Sequence, residues 1–301
     1  MTERVCCFGP GEALVGVLTE PEADRDRTDA PVLLWLNSGL LHSVGPFGWY
    51  VTLARRFADQ GITSFRFDIS GVGDSPPRAD GRGRMDTGIA DATAAMDFLG
   101  RDRGARRFVL IGLCSGAVLA QQLASREERV AGAVLIDGWG YRTAGFYLRH
   151  YARRVFHWRP WAQSFKRLFR THGEGAENEA SSLEDKRLIV REYYFDYPSP
   201  QSGRAQIVRA LRRGARVLWV YTGDVEQYVN GSRQFREMLG RIAAADGIDC
   251  AYMPAADHLF SGRTARLALF SRIENWFVLT GSSSLPEQYR AQAPRTAGPH
   301  G

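Results

Sequence analysis

The sequence predicts an α/β protein with a mostly parallel central sheet, helices on both faces and one helical insertion. Three observations carry that reading. Strand-like and helix-like stretches alternate along most of the chain, as expected of a parallel sheet wound with crossover helices. Two of the strand-like stretches, PVLLWL at 31–36 and FVLIGL at 108–113, are continuous apolar runs, the pattern of strands buried on both faces. Between 139 and 213 the chain turns rich in aromatics and arginine and shows no clear buried strand.

Taken in order, residues 4–8 and 13–19 read as short strands, and the charged, proline-flanked segment 20–30 as a surface turn. The strand 31–36 runs into a glycine-rich loop, 37–48. Trp49, Leu53, Ala54, Phe57 and Ala58 recur at helical spacing, Gly61 ends that helix, and 63–69 is the next strand. Ile89, Ala92, Ala95, Met96 and Leu99 mark a second helix before the strand 108–113. Residues 115–125 form a helix and 130–136 a strand. After the insertion come a strand at 216–221, a helix at 232–245, a strand at 249–253 and a last helix at 264–279. The expected organisation is therefore a core of 1–138 and 214–280, a helical cap at 139–213, and a disordered tail at 281–301, where serine, proline and glycine occur without periodicity.

Composition narrows the function. Hydrophobic residues make up 44% and charged residues 24% of the 301, so a disordered, collagen-like or coiled-coil chain is excluded. No apolar run approaches the roughly 18 residues of a membrane helix, and the N-terminus MTERVCCFGP lacks the basic-then-apolar order of a signal peptide. The expectation is a cytoplasmic protein with no membrane partner. Four cysteines, Cys6, Cys7, Cys114 and Cys250, are too few for a disulfide framework and lack metal-ligand spacing, so they read as reduced thiols with no metal. The net charge of +6 comes from scattered arginines with no nucleic-acid-binding signature, and no nucleic acid partner is expected.

The segment from Val109 to Ala117 has the form strand, Gly-x-Cys-x-Gly, helix, which is a nucleophile elbow with sulfur at its centre. Glycines two residues either side of the nucleophile are needed because a Cβ there would collide with neighbouring backbone. That spacing selects Cys114: with Ser115 as nucleophile the flanking positions would be Leu113 and Ala117. The helix N-terminus beginning at Ser115 adds partial positive charge that favours a thiolate. In this chain order the acid and then the histidine follow. His258, after the last strand, is the expected base; His150, His157 and His172 lie in the insertion, His300 in the tail, and His42 precedes the nucleophile. Glu226, in the usual Gly-x-x-Asp register after the strand ending at Tyr221, is the favoured acid, Asp224 the alternative, and Asp137 after the preceding strand a third. Backbone N–H groups of Leu40 and Ser115 are the expected oxyanion donors. His42 and Trp139 are further candidates for touching substrate, and DISGVGDS at 68–75, without a lysine or following helix, reads as a turn.

Five segments, LWLNSGLL, HSVGPFGWY, RFDISGVGDS, GLCSGA and DHLF, together resemble the serine-aminopeptidase-like branch of the α/β-hydrolases, and more narrowly its bacterial members with a GLCSG elbow. The similarity spans about 31–277 and implies an α/β-hydrolase fold with a triad; it does not specify a substrate. The departure from a serine nucleophile at Cys114 has precedent in the dienelactone hydrolases, whose shorter chains lack the insertion. The leading expectation is an ester or thioester hydrolase acting through a covalent Cys114 acyl-enzyme on a small-molecule or carrier-bound acyl substrate, with no cofactor. An acyltransferase or cyclase of natural-product biosynthesis, passing the acyl group to an amine, alcohol or thiol, is the alternative, and a non-catalytic binding protein on the same fold is a third reading.

Overall fold

The computed structural model describes residues 1–156 and 197–280. Its strands are β1 (Thr2–Phe8), β2 (Leu14–Glu20), β3 (Val32–Leu36), β4 (Ser64–Phe67), β5 (Phe108–Leu113), β6 (Val130–Ile136), β7 (Arg216–Thr222) and β8 (Ile248–Met253). They form one eight-stranded sheet in the order β1-β2-β4-β3-β5-β6-β7-β8. The β1–β2 and β2–β4 pairs are antiparallel and the remaining pairs parallel. The helices are α1 (Trp49–Asp59), α2 (Arg84–Arg103), α3 (Ser115–Ala124), α4 (Ala144–Phe156), α5 (Pro200–Arg212), α6 (Arg233–Leu239) and α7 (Arg263–Thr280). Each strand expected from the sequence is present with its ends within two residues. This is the α/β-hydrolase fold. No helix among the described residues is long and apolar enough to cross a membrane.

The continuous apolar strands make sense once both sides of the sheet are covered. Successive side chains point to opposite faces. Leu34, Leu36, Leu110, Leu135, Val217 and Trp219 join one core with α2, α3 and α5. Their neighbours Leu33, Trp35, Val109, Ile111, Val134 and Leu218 join a second core with α1 and α7. A polar residue at any of these positions would face a packed helix rather than water. On the second face α1 and α7 are also tied by a bidentate ion pair, Arg56 Nε and Nη2 donating to Glu274 at 2.7 and 2.8 Å.

The insertion divides in two. Residues 157–196 and the tail 281–301 lie outside the described residues, so most of the expected cap and the whole tail do too. The end of the segment expected as cap packs on the core: in α5, Ile207 and Ala210 are buried, and Gln206 accepts a hydrogen bond from Gln121 of α3 at 2.8 Å. Helix α5 is thus the crossover from β6 to β7. It starts where Ser199 Oγ accepts from the Ser202 N–H, with Pro200 in the first turn. Trp139, expected as a possible substrate contact, belongs to this packing. It is 1% exposed, donates its indole N–H to the Pro198 carbonyl at 2.9 Å and lies 6.0 Å, between ring centroids, from Trp219. An indole large enough to span from the sheet to α5 is worth more as core than as pocket lining.

At the antiparallel edge Phe65 is fully buried among Phe8, Phe67 and Phe98, with centroid separations of 5.2, 6.0 and 5.7 Å. Phe65→Ala is expected to lower unfolding stability by about 3–5 kcal/mol, the range for truncating a buried aromatic, measured as a shift in urea midpoint.

Candidate active site

Cys114 occupies the turn between β5 and α3 with φ 55° and ψ −118°. That conformation is strained for a residue bearing a Cβ, and it is enforced from three sides. Cys114 N–H donates to the Ile136 carbonyl at 2.8 Å, and its own carbonyl accepts from Ala117 N–H at 3.1 Å. A Cβ on Gly112 would stand 2.2 Å from the Gly116 backbone, and one on Gly116 would stand 2.6 Å from the Asn37 carbonyl. The Gly-x-Cys-x-Gly spacing is therefore a packing requirement of the turn. Ser115 faces inward: it is 3% exposed and its Oγ accepts from the Gly39 N–H at 2.7 Å.

His258 follows β8. Its backbone N–H donates to Asp224 Oδ2 at 2.8 Å, and the loop beyond it is held by Asp257, which accepts from the Leu259 and Ser261 N–H groups at 3.1 and 3.0 Å. The ring Nδ1 lies 2.8 Å from Asp137 Oδ2. Cys114 acts on the same imidazole, raising its pKa, and with Nδ1 taken by Asp137 the ring nitrogen left for the sulfur is Nε2. The hydrogen bond to Asp137 first, then the neighbouring Cys114, push the His258 pKa up to about 10 against the opposing effect of burial.

The carboxylate at His258 is thus neither Glu226 nor Asp224. Glu226 is exposed on the turn after β7, and Asp224 is spent on the His258 backbone. Asp137 is fully buried at the first position after β6, and its carboxylate accepts from the Thr222 N–H at 2.7 Å and from Thr222 Oγ1 at 2.6 Å as well as meeting the imidazole. The reason is the sheet register. Ile136 pairs with Val220, so the residue after β6 lies beside the end of β7, and the loop from β8 reaches across that end to it. The signal in the sequence was an aspartate placed directly after the apolar run VAGAVLI, where burying a carboxylate is expensive unless it is fully hydrogen-bonded. Asp137 also has φ 47°, and Phe260, two residues past His258, has φ 55°. With Cys114, three of the non-glycine residues at positive φ therefore lie in this one site, where such strain concentrates.

The loop after β3 completes the surroundings. Asn37, 2% exposed, donates to the Leu41 carbonyl at 2.9 Å and to Asp68 Oδ1 at 2.8 Å, and accepts from the Ile69 N–H at 2.8 Å. The N–H groups of Leu40 and Ser115 have no acceptor among the described residues. His42 is engaged in holding the loop: Nδ1 accepts from the Val44 N–H at 3.2 Å, which leaves the proton on Nε2, 3.1 Å from both Asp68 Oδ2 and Asp74 Oδ2. Those three atoms have a spacing a metal ion could use, but the Nε2 proton already accounts for their convergence. Around them, the segment 68–75 forms the expected turn, with Gly71 N–H on the Ser75 carbonyl at 3.0 Å and Ser75 Oγ on the Asp68 carbonyl at 2.7 Å.

Solved structures share this architecture. An esterase of Pyrococcus furiosus superposes with a TM-score of 0.59 at 13% identity, covering 93% of this chain and 90% of its own. An α/β serine hydrolase without a lid from Xanthomonas campestris gives 0.54 at 14% identity, covering 95% and 96%. The proline iminopeptidase of Mycobacterium smegmatis gives 0.51 at 15% identity, covering 92% and 99%. At such identities the likeness is one of fold. No sequence among the curated proteins matches the chain. The family model for serine aminopeptidase S33 (Hydrolase_4) matches residues 39–226, from the loop after β3 through the elbow to the turn after β7, and by that match the chain belongs to this hydrolase family, with cysteine in the elbow where the family name has serine.

Proposed function

We propose that the protein hydrolyses an ester or thioester through a covalent Cys114 acyl-enzyme, with His258 as proton carrier and Asp137 as its orienting acid. The observation that carries this reading is the His258 imidazole held between the buried Asp137 carboxylate at 2.8 Å and Cys114 at the strained elbow. Asp137 fixes the tautomer with Nδ1–H toward itself and stabilises the imidazolium, while Nε2 serves the nucleophile. A cationic imidazole beside the sulfur and the N-terminus of α3 beneath it are the counter-charges that a thiolate needs.

In the reaction, the Cys114 thiolate attacks the substrate carbonyl carbon and a C–S bond forms. The carbonyl electron pair moves onto oxygen, which the Leu40 and Ser115 N–H groups receive. As the pair returns, the bond to the leaving alkoxide or thiolate breaks, and that group takes the proton from His258 Nε2. The now neutral imidazole removes a proton from water, the resulting hydroxide attacks the thioester, and the C–S bond breaks. The carboxylic acid leaves and the thiolate–imidazolium pair is restored. Esters and thioesters suit this chemistry because an alkoxide with proton assistance or a thiolate competes with the Cys114 sulfur as leaving group, whereas an unassisted amine does so poorly.

Incubation with p-nitrophenyl acetate followed by intact-mass spectrometry and peptide mapping is expected to place one acetyl group on Cys114, and Cys114→Ala to abolish both labelling and turnover. Background is expected at exposed Cys7 only, since burial pushes the Cys250 thiol up to about 12 and raises that of Cys6. Acetylation of Ser115, or full turnover in Cys114→Ala, would refute the reading.

The pH dependence has a fixed sign. A histidine raised to about 10 stays protonated through neutral pH, so kcat/KM is expected to fall as pH rises through about 10, where the thiolate loses its counter-ion and the leaving group its acid. The same shift contributes stability fully present below the ordinary histidine value near 6.5 and lost as pH climbs through about 10. Asp137→Asn removes the largest cause: the alkaline limb should move down toward the ordinary histidine range, with kcat reduced by about 10²- to 10⁴-fold. Glu226→Gln should stay within about threefold of the parent. A larger loss in Glu226→Gln than in Asp137→Asn would return the acid role to Glu226.

Whether water is the acceptor is tested by adding small amines or thiols during turnover and reading products by mass spectrometry. Free acid at every acceptor concentration supports hydrolysis; diversion into amide or new thioester in proportion to acceptor would make the protein an acyltransferase.

A further inference from the structure

The oxyanion loop is pinned by two side chains on opposite sides of Gly39. The peptide unit before Gly39 is fixed by Ser115, whose buried Oγ accepts the Gly39 N–H at 2.7 Å. The peptide unit after Gly39 is met from the other side by Arg84, in the first turn of α2, whose Nη2 donates to the Gly39 carbonyl at 3.5 Å. In a trans peptide the carbonyl and the following N–H point in opposite directions. A guanidinium on the Gly39 carbonyl therefore turns the Leu40 N–H the other way, and withdraws electron density from the same amide. Gly39 itself has φ +57°, a conformation that would drift without restraint on its neighbours. With the Gly39 N–H consumed by Ser115, the next N–H along the loop, that of Leu40, has no acceptor among the described residues.

We infer that Ser115 Oγ and the Arg84 guanidinium form a clamp that aims and polarises the Leu40 N–H toward the oxyanion formed at Cys114, so that both act as positioning residues in a reaction to which neither side chain contributes an atom. The inference rests on the acyl-enzyme reading above. It assigns Ser115, the hydroxyl nearest the nucleophile, a role other than reserve nucleophile. It also assigns one to Arg84, which lies outside every motif of the elbow and triad. The clamp has a distinguishing consequence: it matters only for steps that pass through a tetrahedral oxyanion.

Two reagents separate those steps. Iodoacetamide alkylates the Cys114 thiolate by displacement at a saturated carbon and creates no oxyanion at the carbonyl. Hydrocinnamaldehyde adds to the same sulfur reversibly and gives a thiohemiacetal whose oxygen occupies the oxyanion position. In Ser115→Ala, kcat for p-nitrophenyl acetate should fall by about 10- to 100-fold, somewhat less than the loss for deleting a donor outright, with KM within about threefold. The inhibition constant for the aldehyde should rise by the same factor as kcat falls. The rate of Cys114 alkylation by iodoacetamide, and its pH profile, should match those of the parent. Arg84→Met, at a partly exposed position, should show the same pattern with a smaller kcat loss, and it keeps the test open if Ser115→Ala fails to fold. Unchanged kcat in both variants, or an alkylation rate that falls in parallel with kcat, would overturn the clamp. Normal Cys114 acylation in the parent with those results sinks the clamp alone. No acylation of Cys114 in the parent sinks the functional reading and the clamp with it.

Discussion

The buried Asp137 carboxylate organises this site. A carboxylate with no exposure at the end of an apolar strand carries a desolvation cost of several kcal/mol that only dense hydrogen bonding can offset. Here two bonds come from Thr222 at the end of the neighbouring strand and one from the His258 ring. The Thr222 bonds join the ends of β6 and β7. The His258 bond ties the loop after β8 to both, and through the imidazole to the elbow after β5. The parallel ladder sets these strand ends side by side, and the Asp137 carboxylate links the ends of β6 and β7 to the loop after β8. The Tyr228 hydroxyl, donating to the Asp137 carbonyl at 3.2 Å, adds the turn after β7 to the same assembly.

The backbone around this assembly carries strain that the rest of the fold supports. Cys114, Asp137 and Phe260 all adopt positive φ, each in a residue with a Cβ. Such conformations cost of order 1–3 kcal/mol each and persist only where surrounding structure over-determines them. At Cys114 that support is the close approach of β5, α3 and the loop after β3. At Phe260 it is burial of the ring against Trp49, 6.3 Å between centroids, in the second core. The cores on the two faces of the sheet thus meet the site from below on both sides. The strain holds the sulfur above the turn, and the packing prevents its release.

Sulfur in place of oxygen changes what the site asks of its histidine. A serine elbow needs a neutral imidazole ready to take a proton. A cysteine paired with an imidazolium begins with the proton already transferred, and the imidazolium then serves first as acid toward the leaving group. In the proposed mechanism, the upward shift of His258, caused first by Asp137 and second by Cys114, suits that order of events. The inward-facing Ser115 beside it is bonded to the loop after β3.

Much of the fold was legible in the sequence because it rests on local rules. Apolar runs of five to seven residues, helical spacing of Trp49, Leu53 and Phe57, and two glycines about a strained residue depend on chemistry within a few residues of each other. The tight strand-to-helix turn at Cys114 and the place of His258 after the last strand were read this way, as was the turn at 68–75. Which carboxylate meets the histidine was not, because that is decided by which strand ends lie side by side. Glu226 and Asp137 both follow apolar strands, and only the parallel register of β6 on β7 sets Asp137 against Thr222 and within reach of His258. Trp139 and His42 likewise have side chains suited to touching substrate, yet the tertiary structure commits one to the Pro198 carbonyl just before α5 and the other to Asp68 and Asp74. By itself the sequence determined the alternating sheet-and-helix architecture and the tight glycine-flanked turn at Cys114, since these follow from periodicity and steric limits along the chain. Only the tertiary structure decided which carboxylate meets the histidine and which side chain holds the Gly39 amide, because hydrogen bonds between residues 121 and 76 positions apart are set by packing across the sheet rather than by neighbours in sequence.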